Sequence, residues 1–366
     1  MKTDLKDILK LFLKLGFTAF GGPAAHIALM QKEVVEKKKW LSNDHFLDLI
    51  SATNLIPGPN STEMTMHCGH EKAGLKGLII AGASFIIPAV IITACIAWAY
   101  KSYGSLPQVA PFIYGIKPAI IAVIISAIIP LAKSSLKNNK LYVFGLIAIS
   151  LCIAGVNEIL VLFSIGISNI LISSINRSAK PLNSFFPLAT FPLTNLKLFF
   201  TFLKIGSILY GSGYVLFSFL DAELVETGII SKQVLIDAIA VGQFTPGPVF
   251  SSATFIGWQI GDFYGAVAAT LGIFLPSFIF VALLNPLIPK MRASVKLSAF
   301  LDAVNVASVA IIGFTCYTMF KESVSDWKGI CIFIVSACIT FFFKKVNSAL
   351  IVLVGSLLGY FLYSLS

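Results

Sequence analysis

The sequence predicts an all-α polytopic membrane protein of two inverted-topology repeats, with about 10 spanning helices and two broken helical hairpins. First, 57% of the residues are hydrophobic and only 12% are charged, with a mean hydropathy of +0.89. Second, apolar runs long enough to cross a bilayer recur along the chain. Third, a Pro-Gly-Pro triplet stands at residues 57–59 and again at 246–248, inside two similar halves. Each triplet must interrupt a helix, because proline lacks the N–H donor.

Composition also excludes several classes of protein. The net charge of +10 comes from lysines in short loops between apolar runs, as in cytoplasmic loops, so no nucleic-acid partner is predicted. The six cysteines stand singly, and the group His67, Cys68 and His70 has no second cluster to complete a metal site. We therefore expect no metal and no cofactor. Residues 1–10 contain two aspartates and no small-residue cleavage site, unlike a signal peptide.

The chain aligns with itself, which indicates a duplication. The predicted units are an N-terminal repeat at 1–176, a linker at 177–196 and a C-terminal repeat at 197–366. Matching positions include Lys14 with Lys204, Gly16 with Gly206, Glu33 with Glu223, Asp48 with Asp237, and Pro88 with Pro276.

Apolar runs give the predicted elements in order. In the first half they cover 12–31, a broken hairpin at 43–71, then 75–100, 107–131, 140–155 and 158–175. In the second half they cover 197–220, a hairpin at 233–258, then 264–288, 297–320, 329–343 and 348–364. Placing the lysine-rich loops inside puts the two hairpins on opposite sides of the membrane. Five crossings per half agree with this, since an odd number reverses the second repeat.

The Pro-Gly-Pro turns are the first candidate site. A new helix can begin after Pro59, with Asn60 or Ser61 as its cap and Glu63 as the capping-box partner of Asn60. Unpaired N–H groups at a helix start, together with the helix dipole, favour an anion. The amides Asn54 and Gln243 precede the two turns at equivalent positions.

A second kind of break stands in the first long segment of each half. It reads Phe20-Gly21-Gly22-Pro23 in the first half and Tyr210-Gly211-Ser212-Gly213 in the second. Such glycines can simply allow close helix packing. We favour unwound turns, because Pro23 suits a first helical position and the break recurs. All four breaks are then expected to face one cavity.

Charged residues in apolar segments are further candidates. Lys14 and Lys204 either snorkel to an interface or act as cations for a divalent anion. Lys117 is expected to face the interior, towards Asp302 or Glu63. The proton-coupling candidates are Glu63, His26, Glu33 and Glu223. Salt bridges, a capping role for Glu63 and a buried, carbonyl-bound His26 are the structural alternatives.

Three stretches together resemble the chromate ion transporter superfamily, as a long two-domain member. They are Phe20-Gly21-Gly22-Pro23 with His26, Pro57-Gly58-Pro59 with the residues up to Glu63, and Gln243 with Pro246-Gly247-Pro248. The resemblance covers almost the whole chain. It implies a multi-pass carrier of the inner membrane that exports chromate, and it extends to sulfate, a dianion of the same shape. The second half has Leu216 in place of His26, so two equivalent sites are not expected.

The predicted function is secondary transport of a tetrahedral oxyanion by alternating access, driven by the membrane potential and optionally by proton exchange. Its partners are chromate or a sulfate-like dianion and the lipid bilayer, and a homodimer is left open. The predicted substrate-binding set is Lys14, Phe20, Gly21, Gly22, Pro23, His26, Asn54, Pro57, Gly58, Pro59, Asn60, Ser61, Thr62, Lys204, Gly211, Ser212, Gly213, Gln243, Pro246, Gly247, Pro248, Ser251 and Ser252.

Three alternative functions stay open at this point: a sulfate importer, an ion channel, or a membrane-embedded enzyme using His26, Glu63 and His67. Common enzyme and ATPase motifs are absent from the sequence.

Overall fold

The fold was analysed in a computed structural model, which describes residues 2–20, 22–53, 55–104, 106, 109–174, 195–210, 215–284, 294–343, 346 and 348–364. These residues form fourteen α-helices and contain no β-strand. The all-α fold class predicted from the sequence is confirmed.

The first repeat contains seven helices. They are α1 (Lys2–Thr18), α2 (Gly22–Met30), α3 (Asn43–Thr53), α4 (Asn60–Tyr103), α5 (Ala110–Ser135), α6 (Asn139–Ile153) and α7 (Glu158–Ser174). A π-helical turn, Gln31–Lys37, extends α2. The interval between α3 and α4 contains the first Pro-Gly-Pro turn, so the predicted helix break is present.

The second repeat contains the same elements in the same order. They are α8 (Asn195–Ile208), α9 (Val215–Leu220), α10 (Lys232–Phe244), α11 (Ser252–Leu284), α12 (Val295–Ser323), α13 (Trp327–Phe342) and α14 (Ser348–Ser364). A π-helical turn, Asp221–Val225, follows α9, and a 3-10 turn, Val249–Ser251, precedes α11. The second Pro-Gly-Pro turn lies between α10 and that 3-10 turn.

Helices α4 and α11 each join two predicted elements across a kink. The backbone leaves the helical region at Ala73 and Gly74 in α4, and at Gly261 and Asp262 in α11. The return arm of each hairpin therefore continues into the next spanning helix, whereas the sequence pattern suggested two separate segments. The kinks occupy equivalent places in the two repeats.

Four stretches are long and apolar enough to cross a membrane: Asn60–Tyr103, Ala110–Ser135, Val249–Leu284 and Lys296–Ser323. Helices α6, α7, α13 and α14 are apolar but shorter. About 20 residues span the hydrocarbon core, so each of the four long stretches can cross it alone.

The packing of α5 against α14 fixes the relative orientation of the repeats. Because α5, α6 and α7 follow one another through short connections, α7 runs parallel to α5. Helix α14, the counterpart of α7, packs on α5 in the antiparallel sense, with Gly115 against Gly355 and Pro111 against Gly359. Helix α14 thus runs opposite to its counterpart, and the two repeats are inverted.

Candidate functional site

The breaks of the two repeats are hydrogen-bonded to each other in a reciprocal way. The N–H of Gly58 donates to the carbonyl oxygen of Leu209 at 2.8 Å, and the N–H of Gly247 donates to that of Ala19 at 2.9 Å. Ala19 and Leu209 are the equivalent residues that follow α1 and α8. Each Pro-Gly-Pro turn therefore rests on the interrupted helix of the opposite repeat, and the breaks meet at one crossing.

Glycine is required at the centre of both turns. Gly58 has φ +137° and Gly247 has φ +87°, a region of backbone conformation that other residues rarely adopt. A Cβ atom at Gly58 would overlap the carboxyl of Glu63, and one at Gly247 would lie 3.0 Å from Ala89 Cβ. Both conformation and space therefore favour glycine at these two positions.

His26 links three of the elements at this crossing. Its Nε2 lies 3.1 Å from the carbonyl oxygen of Ala19, and its Nδ1 lies 3.2 Å from the hydroxyl of Ser61. Because a carbonyl can only accept, Nε2 carries the proton, and in the neutral ring Nδ1 then accepts from Ser61. His26 is 2% exposed and shares the Ala19 oxygen with Gly247. Its counterpart Leu216 is also buried but has no polar group.

Glu63 is a fully buried carboxyl beside the first turn. The hydroxyl of Ser277 donates to Glu63 Oε1 at 3.3 Å, which joins α4 to α11. Its Oε2 has no hydrogen-bond partner among the described residues. The predicted capping box is wrong: Pro59 occupies the cap position, and no side chain caps the start of α4. The Glu63 carboxyl lies beside Gly58 and accepts from Ser277 on α11.

Two of the four hydroxyl groups predicted to bind the anion already donate to protein acceptors. Ser61 donates to His26, and Ser252 donates to the carbonyl oxygen of Val249 at 2.8 Å. The other two, Thr62 and Ser251, are equivalent residues in the first turns after the triplets. Both hydroxyls are buried and have no partner within the described part of the chain.

Some of the predicted N–H donors are also engaged. The N–H groups of Thr62 and Glu63 donate to the Pro59 oxygen, and that of Ser251 donates to the Pro248 oxygen. The side-chain amide nitrogen of Gln243, which is 5% exposed, finds no acceptor in the described residues. Of the predicted ligands, the buried side-chain donors without a partner in the described residues are therefore Thr62 from the first repeat and Ser251 and Gln243 from the second.

Lys14 and Lys204, unlike the donors described above, are exposed side chains. Lys14 Nζ is 3.2 Å from Glu33 Oε1, and Lys204 Nζ is 2.6 Å from Glu223 Oε1. The lysine side chains are 58% and 41% exposed. Each lysine is thus paired with a glutamate, whereas the sequence suggested either snorkelling to an interface or a substrate-binding cation, and the substrate-binding role stays a prediction. The occurrence of the same lysine–glutamate pair in both repeats supports the repeat alignment.

Glu33 lies on the π-helical turn at the end of α2 and contacts two lysines. The hydrogen bond from Lys37, at 2.8 Å, with the help of Lys14, holds the pKa of Glu33 below its ordinary value of 4.5. A carboxylate that stays ionised is poorly suited to carry a proton at neutral pH.

Lys117 has a different partner from those predicted. Its Nζ lies 3.5 Å from Asp237 Oδ1, and the hydroxyl of Tyr100 donates to Asp237 Oδ2 at 2.6 Å. Asp302 instead binds Lys137 at 2.7 Å. The expectation that Lys117 faces the interior is confirmed, but both named partners were wrong. Sequence reasoning missed Tyr100, and for Asp237 it favoured a salt bridge to a neighbouring loop over proton transfer.

A cavity of about 460 Å³ adjoins this ion pair. It extends from the connection between α4 and α5, at Tyr103 and Gly104, to Phe244 at the end of α10. Most of its wall is apolar, and Asp237 and Tyr100 are among its few polar groups. Phe244 precedes Pro246 by two residues, so the cavity reaches the start of the second turn.

The remaining predicted residues fall into two groups. Gly22, with φ +80°, begins α2, Pro23 is its second residue, and Phe20 precedes the helix. Pro57, Pro59, Pro246 and Pro248 are buried, and Asn60 begins α4. The predictions for Gly21, Asn54, Gly211, Ser212 and Gly213 lie outside the described residues, as does most of the linker.

Comparison with known proteins gives one consistent family. The sequence profile of the chromate transporter family matches residues 6–170 and again 196–360, one copy for each repeat. A probable chromate transport protein of Synechococcus elongatus is 26% identical, over 99% of this chain and 96% of its own length. A chromate transport protein of Cupriavidus metallidurans is 27% identical, over 99% and 94%.

A third relative, an uncharacterized transporter of Methanocaldococcus jannaschii, is 27% identical over 97% of this chain and 93% of its own length. No solved structure gives a significant match. The profile covers both repeats, and the long helices are apolar enough to span a bilayer. The chain is therefore a multi-pass protein of the cell membrane and belongs to the chromate transporter family.

Proposed function

We propose that this protein transports chromate across the cell membrane as a secondary carrier and exports it from the cytoplasm. Membership of the family and two relatives described as chromate transport proteins support the substrate. Inverted repeats with interrupted helices support a carrier mechanism, since this architecture is common among secondary transporters. A membrane-embedded enzyme has no comparable support.

The observation that carries the proposal is the reciprocal pairing of the Pro-Gly-Pro turns, Gly58 on Leu209 and Gly247 on Ala19. It brings two helix starts together at the interface of the repeats. The unused hydroxyls of Thr62 and Ser251, with the Gln243 amide, can donate to the oxygens of a tetrahedral dianion. Buried donors without protein partners are costly unless a ligand or water meets them.

The same contacts support alternating access as the mechanism. Each turn belongs to one repeat and rests on the other, so a rotation of one repeat against the other moves the two helix starts apart on one side. In this proposal the hydrogen bonds of Gly58 and Gly247 exchange between two arrangements, and His26 with Ser61 guides the first turn.

The membrane potential is sufficient to drive export. Moving two negative charges outward across an inside-negative membrane is favoured by about 4.6 kcal/mol per 100 mV, since each charge contributes about 2.3 kcal/mol. Uptake of the dianion would need about three or more co-transported protons to become electrically favourable. Glu63 and His26 stay as proton-coupling candidates at the crossing, whereas Glu33 and Glu223 are held in ion pairs.

The test is flux in proteoliposomes loaded with chromate and held at a set potassium potential. We expect chromate efflux that increases with the potential, and competition by sulfate if the site reads only shape and charge. Accumulation of sulfate driven by an inward proton gradient, with chromate untouched, would contradict the assignment. Electrical conductance far above a carrier's turnover would indicate a channel instead.

A further inference from the structure

We propose that Asp237 is a proton-binding residue, and that its protonation is coupled through Lys117 to binding of the anion. The inference rests on the proposed function and adds to it a named residue, a route for the proton and the sign of the coupling.

Position is the first argument. Asp237 lies on α10 and is 3% exposed, and the Lys117 side chain on α5 is 12% exposed. Ionised side chains inside a membrane protein are costly, and they commonly mark the paths of ions or protons. The distance of 3.5 Å between Lys117 Nζ and Asp237 Oδ1 is too long for a strong hydrogen bond. The pair is therefore loosely joined.

Access is the second argument. Asp237 lines the cavity of about 460 Å³, so its carboxyl faces open space and not only packed side chains. In this proposal the proton enters at the end of the cavity formed by the exposed Tyr103 and by Gly104. Glu63, by contrast, is fully buried beside the first turn.

Among the described residues, three side chains face or bond Asp237. Lys117 faces it from α5, the Tyr100 hydroxyl donates to it from α4, and Gln233 on α10 lies 3.3 Å from Oδ2. Helix α14 contributes Ser356 to the cavity wall, and Tyr103 is a further phenol there. Of the cations in the described part of the chain, Lys117 is the one that faces the carboxylate.

The chemistry fixes the sign of the coupling. A proton from the cavity converts the carboxylate to a neutral carboxyl, and the ammonium of Lys117 loses its counter-ion. A cation without a counter-ion attracts an anion into the same region, so protonation and anion binding favour each other. Binding of chromate should therefore be accompanied by uptake of protons, up to about one per bound anion.

The first repeat supplies a matched control. Repeat alignment places Asn305 opposite Lys117 and the exposed Asp48 opposite Asp237. Asp48→Asn removes an aspartate from the equivalent hairpin arm without touching the buried pair.

The experiment measures proton uptake on chromate binding to the purified protein, with a pH-sensitive dye in weak buffer, for the wild type, Asp237→Asn, Asp237→Glu and Asp48→Asn. Chromate's own protonation affects all samples equally, so differences between variants belong to the protein. We expect Asp237→Asn to lose the protein's share of the uptake, and Asp237→Glu and Asp48→Asn to keep it.

Equal uptake by the wild type and Asp237→Asn would overturn the inference, as would its loss in Glu63→Gln but not in Asp237→Asn. If Asp237→Asn does not fold, Lys117→Gln decides, because it removes the cation that couples the carboxyl to the anion, and uptake should again be lost. Retained uptake in Lys117→Gln contradicts the coupling. A wild type that binds no chromate overturns the proposed function itself, which is a separate result.

Discussion

The two repeats share their backbone features and differ in their titratable side chains. Both have a Pro-Gly-Pro turn resting on the other repeat, and both have a lysine and a glutamate paired nineteen residues apart. Both also kink their long helix at an equivalent point. These shared parts build the inverted scaffold and the crossing of the breaks.

The differences concentrate at that crossing and beside the cavity. His26 has Leu216 as its counterpart, Glu63 has Ser252, and Lys117 has Asn305. Duplication thus explains the shared backbone geometry. His26, Glu63 and Lys117, by contrast, occur in the first repeat and have no titratable equivalent in the second. A carrier that binds one anion between its repeats does not need two identical sets of ligands.

The largest effect is expected from a substitution in the Pro-Gly-Pro turn, a feature that both repeats share. Gly58→Ala adds a Cβ that would overlap the Glu63 carboxyl, in addition to the backbone strain of φ +137°. Gly155→Ala is the control, because Gly155 also has positive φ, at +78°, but no described atom lies within 4 Å of its added Cβ. We expect Gly58→Ala to destabilise the protein by about 1–3 kcal/mol more than the control.

Thermal unfolding in detergent and recovery of monodisperse protein measure this difference. Equal stability of Gly58→Ala and Gly155→Ala would mean that the first turn is not packed against Glu63 as the structure indicates.

A smaller effect is expected when the first repeat is made to resemble the second. His26→Leu removes the hydrogen bonds to Ser61 and Ala19, so the Ser61 hydroxyl loses its buried acceptor. We expect a loss of about 1–3 kcal/mol in stability and a clear decrease in chromate flux. The volume-conserving change Leu216→Met in the second repeat is the control and should cost less than about 1.5 kcal/mol. Full flux in His26→Leu would remove His26 from the site.

The smallest effect compares the two lysine–glutamate pairs. Glu33 contacts Lys14 and Lys37, whereas Glu223 contacts Lys204. We expect Glu33→Gln to cost a few tenths of a kcal/mol more than Glu223→Gln, since exposed ion pairs contribute about 0.2–1 kcal/mol each.

The contribution of Glu33 to stability should depend on pH. The pKa of Glu33 is lowered in the folded protein, so its contribution is present above the unfolded pKa and is lost as pH falls below 4.5. The melting temperatures of the wild type and Glu33→Gln should therefore converge in acid. A difference that persists there would assign the effect to packing.

The sequence predicted the fold well because its signals are strong ones. Apolar runs, the lysine-rich loops and the repeated triplets indicated the helices, the inversion and the meeting of the breaks. It also indicated that Lys117 faces the interior. The choice of partner could not be predicted, because Asp237, Asp302 and Glu63 are all carboxylates in apolar segments and only packing separates them. Equally, no pattern shows that Glu63 reaches Ser277 on another helix.

The central claim is that both repeats bind one anion between them, and the equivalent hydroxyls of Thr62 and Ser251 test it most directly. Chromate binding is measured by titration calorimetry for the wild type, Thr62→Ala, Ser251→Ala and, as a control, the exposed Ser150→Ala. We predict one chromate per chain, with affinity lowered by about tenfold or more in each of the first two variants and unchanged in the third, since a hydrogen bond to a charged group contributes about 1.5–3 kcal/mol. Two independent sites, or a single site weakened by only one of the two hydroxyl variants, would contradict the account.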